Sequence, residues 1–307
     1  MDQIFLDLIN YARLEYVKHI TSNGNAQYAA IINMSLDYKS KFNSFNASVA
    51  PSISQLAHLI NPYFIGMGNP FCVDCGNPWS LAVANKVVQQ IPNDIENSIL
   101  IFGQELGFTP GLGSLQCFFE EQLSHHDLLL NPDSAFFNPY KANDFRQVKR
   151  HSHTWGVYAK FVAGLLNVNS RDYKKYLIVD PKSNVRVDRF EDHCFYSELY
   201  DSPSANHAHR PSISPERVSF FQSNEFRDFL SRFKYIIIGD GDFSRDYSNL
   251  LGKLFGITVT KPVQTLTDVN KVCQIIKNKN QHIAISNYPL SSQWKYSYID
   301  NICRNLK

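Results

Sequence analysis

The chain has 307 residues, of which 44% are hydrophobic and 19% charged, with a formal net charge of +2. That apolar content is ample for a folded core and excludes a disordered chain; the length fits one large α/β domain or two smaller ones. A pI near 8.1 permits nucleic-acid binding without demanding it, so any basic footprint has to be local. The 22 Phe and 16 Tyr supply much of the packing surface and some stacking surface. Six cysteines scattered along the chain read as reduced core thiols and not as a disulfide framework.

The first twenty residues carry early acids and no long apolar run, so they read as neither a secretory signal nor a membrane span, and a cytoplasmic protein is expected. Ile4, Phe5, Leu8, Ile9, Ala12, Tyr16, Val17 and Ile20 share one face at helical spacing after Asp2, an N-cap residue type. Weaker helical patterns at 25–45 and 52–60 end at Asn61-Pro62. Residues 1–61 therefore read as a helical extension that either covers a sheet or shapes an entrance to a site. A second unit is expected over 62–307.

Residues 64–78 hold two Gly-Asn-Pro turns around Cys72 and Cys75. Such a pair is half of a zinc site, with Cys117, Cys194, His125 or His126 as partners, but no second pair stands at finger-like spacing. A glycine-rich loop with buried thiols is the favoured reading, and no metal is assigned. A helix is expected over 79–91. Ser98 to Phe108, SILIFGQELGF, then gives four apolar residues that read as a strand buried on both faces, stopped by Gly103. Open α/β sheets bind ligands beyond the carboxyl ends of their strands, so Gln104 and Glu105 stand where chemistry is placed. A solvated loop carboxylate is the plainer alternative.

The spacing next predicts a helix over 112–123, a long loop, and a helix over 144–166. That last helix carries Arg146, Lys149, Arg150, His151 and His153, which form either the best local basic patch or an ordinary solvated face. Strands are expected at 176–179, 194–199, 235–239 and 282–286. Helices are expected at 214–233, 247–255, 266–277 and 291–306. This alternation predicts an α/β fold: three α/β/α layers around a mostly parallel sheet of about four to five strands. Gly-Asp-Gly-Asp at 239–242 falls short of a dinucleotide loop, because Ser244 stands where a third glycine is required.

Two of these stretches resemble motifs of the uracil-DNA glycosylase superfamily. GQELGF at 103–108, closing an apolar strand, resembles the GQDPYH-type motif. SNYPLSSQW at 286–294, following the last strand, resembles the HPSPLS-type motif. They stand in the family's order, with two strands between them, and FYSELYDSP at 195–203 occupies a place similar to the strand that carries the family's base-reading side chain. Three departures stand out. Glu105 replaces an aspartate, Gly107 replaces the tyrosine that blocks larger bases, and Ser286 or Asn287 stands near the place of the missing histidine.

The resemblance implies a DNA glycosylase that takes a modified or damaged base larger than uracil, in repair or in defence against phage with modified DNA. It implies a carboxylate, Glu105, beneath the sugar, where it stabilises positive charge and positions water. Gln104, Ser286 and Asn287 would donate hydrogen bonds to the departing base, each worth about 1–3 kcal/mol. Gly103, Gly107, Phe108, Phe195, Glu198 and Pro289 would line the substrate site, an aromatic face holding the flipped base and Glu198 reading its polar edge. Lys149, Arg150, Ser291 and Ser292 would meet the DNA backbone. No cofactor is implied, and the expected partner is double- or single-stranded DNA, bound by a monomer. The bland readings stay open: Phe195 or Tyr196 in the core, Glu198 at a turn, Asn287 and Pro289 turning the chain into its last helix. A non-catalytic nucleic-acid-binding module and a nucleoside or nucleotide hydrolase are the alternatives.

Overall fold

The computed structural model describes residues 3–4, 7–8, 11–12, 14–15, 18, 67–68, 98–103, 153–176, 190, 193–200, 213–239, 247–259, 264–290 and 293–307. Three apolar runs build its centre: β2 (Ser98–Gly103), β4 (Phe233–Gly239) and β7 (Gln281–Ser286). Runs of this kind suit strands covered on both faces, and Ile99, Leu100, Ile101 and Phe102 are all buried. With β3 (Cys194–Glu198) on the far side of β2, they form a parallel array in the order β3-β2-β4-β7.

Antiparallel strands flank this array. β1 (Met67–Gly68) pairs with β3. On the other side β6 (Lys271–Asn278) pairs with β7, and β5 (Gln264–Asp268) closes the edge. Among the described residues the sheet thus has seven strands in the order β1-β3-β2-β4-β7-β6-β5, where the sequence pattern predicts four to five.

Alternation along the strands divides the interior into two layers. Leu100, Phe102, Ile236, Ile238, Ile283 and Ile285 face one cluster. It is completed by α2 (Pro215–Gln222), α3 (Asn224–Ser231) and α4 (Tyr247–Phe255). Ile99, Ile101, Ile237, Cys273 and Ala284 face the other, which holds α1 (His153–Leu165) and α5 (Tyr296–Leu306). The result is the expected α/β/α arrangement. At the N-terminus the described residues between 3 and 18 are helical. Leu8 and Ala12 are fully buried in the α2–α4 layer, and Tyr11 stacks on Phe220 at 6.2 Å. This part of the extension therefore covers the sheet.

Three expectations change. The helix expected over 214–233 is broken at Ser223, whose hydroxyl accepts from Phe226 N at 3.1 Å and so caps α3 at the end of α2; serine hydroxyls compete with helix continuation in this way. Tyr176, expected to open a strand over 176–179, ends a 3₁₀ helix, Ser170–Tyr176, and 177–179 lie outside the described residues. The helix expected over 266–277 is the β5–β6 hairpin. There Thr265, Thr267, Val272 and Ile275 belong to a pleated surface, since β-branched residues favour strands over helices. No helix among the described residues is long and apolar enough to cross a membrane.

The hairpin turn carries a local strain. Val269 has φ of 56° and is 82% exposed, and a β-branched residue is unfavourable in that region. Val269→Asn is expected to raise stability by about 1 kcal/mol, because asparagine tolerates the left-handed conformation. Urea unfolding would show a higher midpoint with an unchanged slope.

Candidate functional site

The carboxyl ends of the parallel strands form a level row. Glu198 pairs with Gly103, Gly103 stands one step beyond the Phe102–Ile238 pair and so beside Gly239, and Gly239 pairs with Ser286, which pairs with Cys273. By alternation these residues belong to the face that carries α1 and α5. The first described helix after β2 is α1, on that face, whereas β4 leads to α4 on the opposite face. Beyond the carboxyl ends of such strands is the usual ligand position in open α/β sheets. Gly103 and Gly239 stand at this edge.

Both glycines are there because something else occupies the space of a side chain. A Cβ on Gly103 would lie 2.2 Å from Glu198 Oε2 and 2.8 Å from Oε1. The Glu198 carboxylate therefore leans across β2, and its Oε2 is buried. A Cβ on Gly239 would lie 2.3 Å from Leu290 Cγ, so Leu290 covers β4 as Glu198 covers β2.

The strand tip that presents Glu198 is anchored from behind. Leu199 N donates to Gly103 O at 3.1 Å, carrying the β2–β3 ladder past the last pair. Arg217 of α2, fully buried on the opposite face, donates from Nη2 to Glu198 O at 2.7 Å and to Ser197 Oγ at 3.4 Å. Its guanidinium lies 4.3 Å from the centre of the Phe221 ring. Charge-assisted hydrogen bonds and an aromatic face are what a buried guanidinium requires.

The loop after β7 is arranged differently from its expected role. Ser286 is buried and its hydroxyl accepts from Tyr288 N at 3.1 Å. Asn287 acts as an extra rung between β7 and β6: its N donates to Val272 O at 3.0 Å, its Oδ1 accepts from Val272 N at 2.7 Å and its Nδ2 donates to Asn270 O at 3.2 Å. The amide thus points along the sheet away from the glycine row. Pro289 O accepts from Trp294 Nε1 at 3.1 Å, fixing the turn that delivers Leu290. The Tyr298 hydroxyl of α5 is pushed well above the ordinary phenol range by burial and then by Cys273.

Among the other expected site residues, Phe195 is a core residue, buried edge-on to Phe229 at 5.2 Å in the α2–α4 layer. Gln104, Glu105, Gly107, Phe108, Lys149, Arg150, Ser291 and Ser292 lie outside the described residues, as do Cys72 and Cys75. Among the described residues no group of three His, Cys, Asp or Glu side chains is placed to hold a metal, and Cys194, Cys273 and Cys303 are buried. The structure therefore brings Gly103, Glu198 and Ser286 to one row, with Asn287 and Pro289 at its border. It adds Arg217, Gly239 and Leu290, which the sequence pattern does not single out. Lys160 is a half-buried cation. Its ammonium sits between the rings of Tyr173 and Tyr296, at 5.1 and 4.6 Å, donates to Trp294 O at 3.4 Å, and burial lowers its pKa.

The chain matches no protein-family model, no curated protein and no solved structure.

Steric exclusivity between residue 103 and Glu198 is testable without any ligand. Gly103→Ala is expected to cost about 1–3 kcal/mol of stability. In the double variant Gly103→Ala/Glu198→Ala most of that cost should disappear, giving a coupling of about 1 kcal/mol or more in a denaturant-unfolding cycle. Additive losses would show that the carboxylate does not occupy this space.

Proposed function

We propose that the chain is a DNA glycosylase that hydrolyses the N-glycosidic bond of a flipped-out modified or damaged base. The observation that carries this reading is the placement of the two motif strands. β2 and β7 run parallel with β4 alone between them, so the segments beginning GQELGF and SNYPLSSQW start from one edge of the sheet. Their starting points, Gly103 and Ser286, are two strand spacings apart, about 10 Å, and a carboxylate already lies over the first of them. Four strands fall between them in the chain: β3 and β4 belong to the parallel array, and β5 and β6 form the antiparallel edge.

In this reading Glu105, two residues past Gly103, stands under the sugar. As the bond to the base lengthens, positive charge grows on the sugar, and a fixed carboxylate stabilises it and orients the attacking water. The base leaves as an anion that takes hydrogen bonds from neutral donors near Gln104 and Ser286. Glu198, held by Arg217, meets the base edge. Lys149, Arg150, Ser291 and Ser292 meet phosphates of single- or double-stranded DNA, and a monomeric cytoplasmic enzyme of repair or phage defence is the setting. A second reading, a nucleic-acid-binding module without chemistry, is favoured by one observation: the Asn287 amide hydrogen-bonds to β6 and the β5–β6 turn.

Incubation with duplexes carrying different modified bases, followed by alkaline scission at abasic sites, separates the two. Glu105→Gln should lower the scission rate about a hundredfold or more, the scale of removing a group that stabilises transition-state charge, with an unchanged melting temperature. Tight DNA binding without abasic sites in wild type would favour the second reading.

A further inference from the structure

We propose that Val269, at the tip of the β5–β6 hairpin, inserts between base pairs of duplex DNA, so that the chain prefers a duplex with an opened stack over a single strand. This rests on the proposed function for its partner, DNA, and not for any chemistry on a base. Val269 is the most exposed large apolar side chain among the described residues, at 82%, and has φ of 56°. An exposed valine alone needs no explanation. One held in the left-handed region is strained, and strain of this kind collects at sites that bind. The fold does not require valine there: Lys279 takes the same place in the β6–β7 turn, at the other end of β6, with φ of 52°.

The turn stands on the edge of the sheet that carries the ends of the parallel strands. Cys273 pairs with Ser286 in that row, and Lys271 pairs with Asp268 beyond it. The hairpin therefore continues about three residues, roughly 10 Å, past the level of Gly103 and Gly239. The minor groove of duplex DNA is about 7.5 Å deep, so a side chain at that height spans it. Asn287 stiffens the projection: its Oδ1 accepts from Val272 N at 2.7 Å and its Nδ2 donates to Asn270 O at 3.2 Å. The amide that the resemblance places at a departing base thus braces the turn.

The flanks of the turn suit a phosphate backbone. Lys271, next to Asn270, holds its ammonium 4.0 Å from the centre of the Tyr288 ring and donates to Gln293 O at 2.7 Å, both neutral partners. Lys295 lies 3.4 Å from Asp268, with its side chain 61% exposed. Among these described residues two cations stand against one carboxylate. Proteins that enter the minor groove use this combination, cations for the phosphates and an apolar wedge that parts a base step and bends the duplex. A surface for single strands presents aromatic faces on which free bases stack, and a branched aliphatic tip offers none.

Fluorescence-anisotropy titration of the full chain tests this with three labelled probes of one sequence: an intact duplex, the same duplex with one abasic-site analogue, and the single strand. An abasic site removes the cost of unstacking in advance. That duplex should therefore bind about tenfold or more tighter than either other probe, the scale of burying one valine side chain. In Val269→Asn, whose fold is expected to be the more stable one, the preference should fall to about threefold or less, whereas Val269→Ile should keep it. Equal binding of the three probes, a preference for the single strand, a preference that survives in Val269→Asn or one lost in Val269→Ile would each overturn the proposal. Preference for the abasic duplex carried by Val269, with no base excised from any duplex, would support it while overturning the glycosylase reading. Base excision with rate and affinity unchanged in Val269→Asn would do the reverse, and absence of DNA binding would overturn both.

Discussion

The arrangement at the sheet edge depends on a missing atom. Parallel strands deliver their last residues to one level, and at that level every side chain competes with its neighbour on the next strand, about 4.8 Å away. Gly103 has no Cβ, so Glu198 turns sideways across β2 instead of standing over β3. Any other residue at 103 would push the carboxylate out of the row. Gly239 repeats the device one strand on, with Leu290. The two glycines stand at the carboxyl ends of β2 and β4, the edge at which open α/β sheets ordinarily bind ligands.

A buried arginine holds this edge from the other side. Removing a guanidinium from water costs several kcal/mol unless its donors find partners, and Arg217 finds them in Glu198 O and Ser197 Oγ, with Phe221 beneath. Ser214 and Pro215 start α2 at a position that brings Arg217 to the tip of β3: the Ser214 hydroxyl accepts from Arg217 N at 3.0 Å. One helix start thus fixes one strand end, and through it one carboxylate. The aromatic richness of the sequence serves the same layer, where Phe221 packs edge to face on Phe226 and Phe255 and Phe220 tilts against Phe226.

Much of the framework is legible in the sequence because continuous apolar runs such as Ile99 to Phe102 and Ile236 to Ile238 admit few alternatives to a doubly covered strand. The β5–β6 hairpin is not legible for a definite reason. Its turn is Val269-Asn270, without the glycine that ordinarily announces a tight hairpin, and Leu266, Asn270, Cys273 and Lys277 fall at helical spacing by coincidence. At the site, Gly103 and Glu198 stand out in sequence, since a strand ending in glycine and a carboxylate after an aromatic strand are both local signals. Arg217 and Leu290 carry no such signal; their roles exist only through contacts across 19 residues to Glu198 and from the loop after β7 to Gly239. Asn287 shows the converse: its local context resembles a site loop, while its amide serves the β6–β7 ladder.

The central proposal is that the sheet edge where β2 and β4 end receives the nucleic acid. Fourteen glycines make ¹⁵N-glycine labelling a sparse probe of it. On titration with DNA containing an abasic site, the amide signals of Gly103 and Gly239 should shift together, while those of Gly252 and Gly256, at the end of α4, stay in place. Shifts confined to Gly252 and Gly256, with Gly103 and Gly239 unmoved at saturation, would contradict the account.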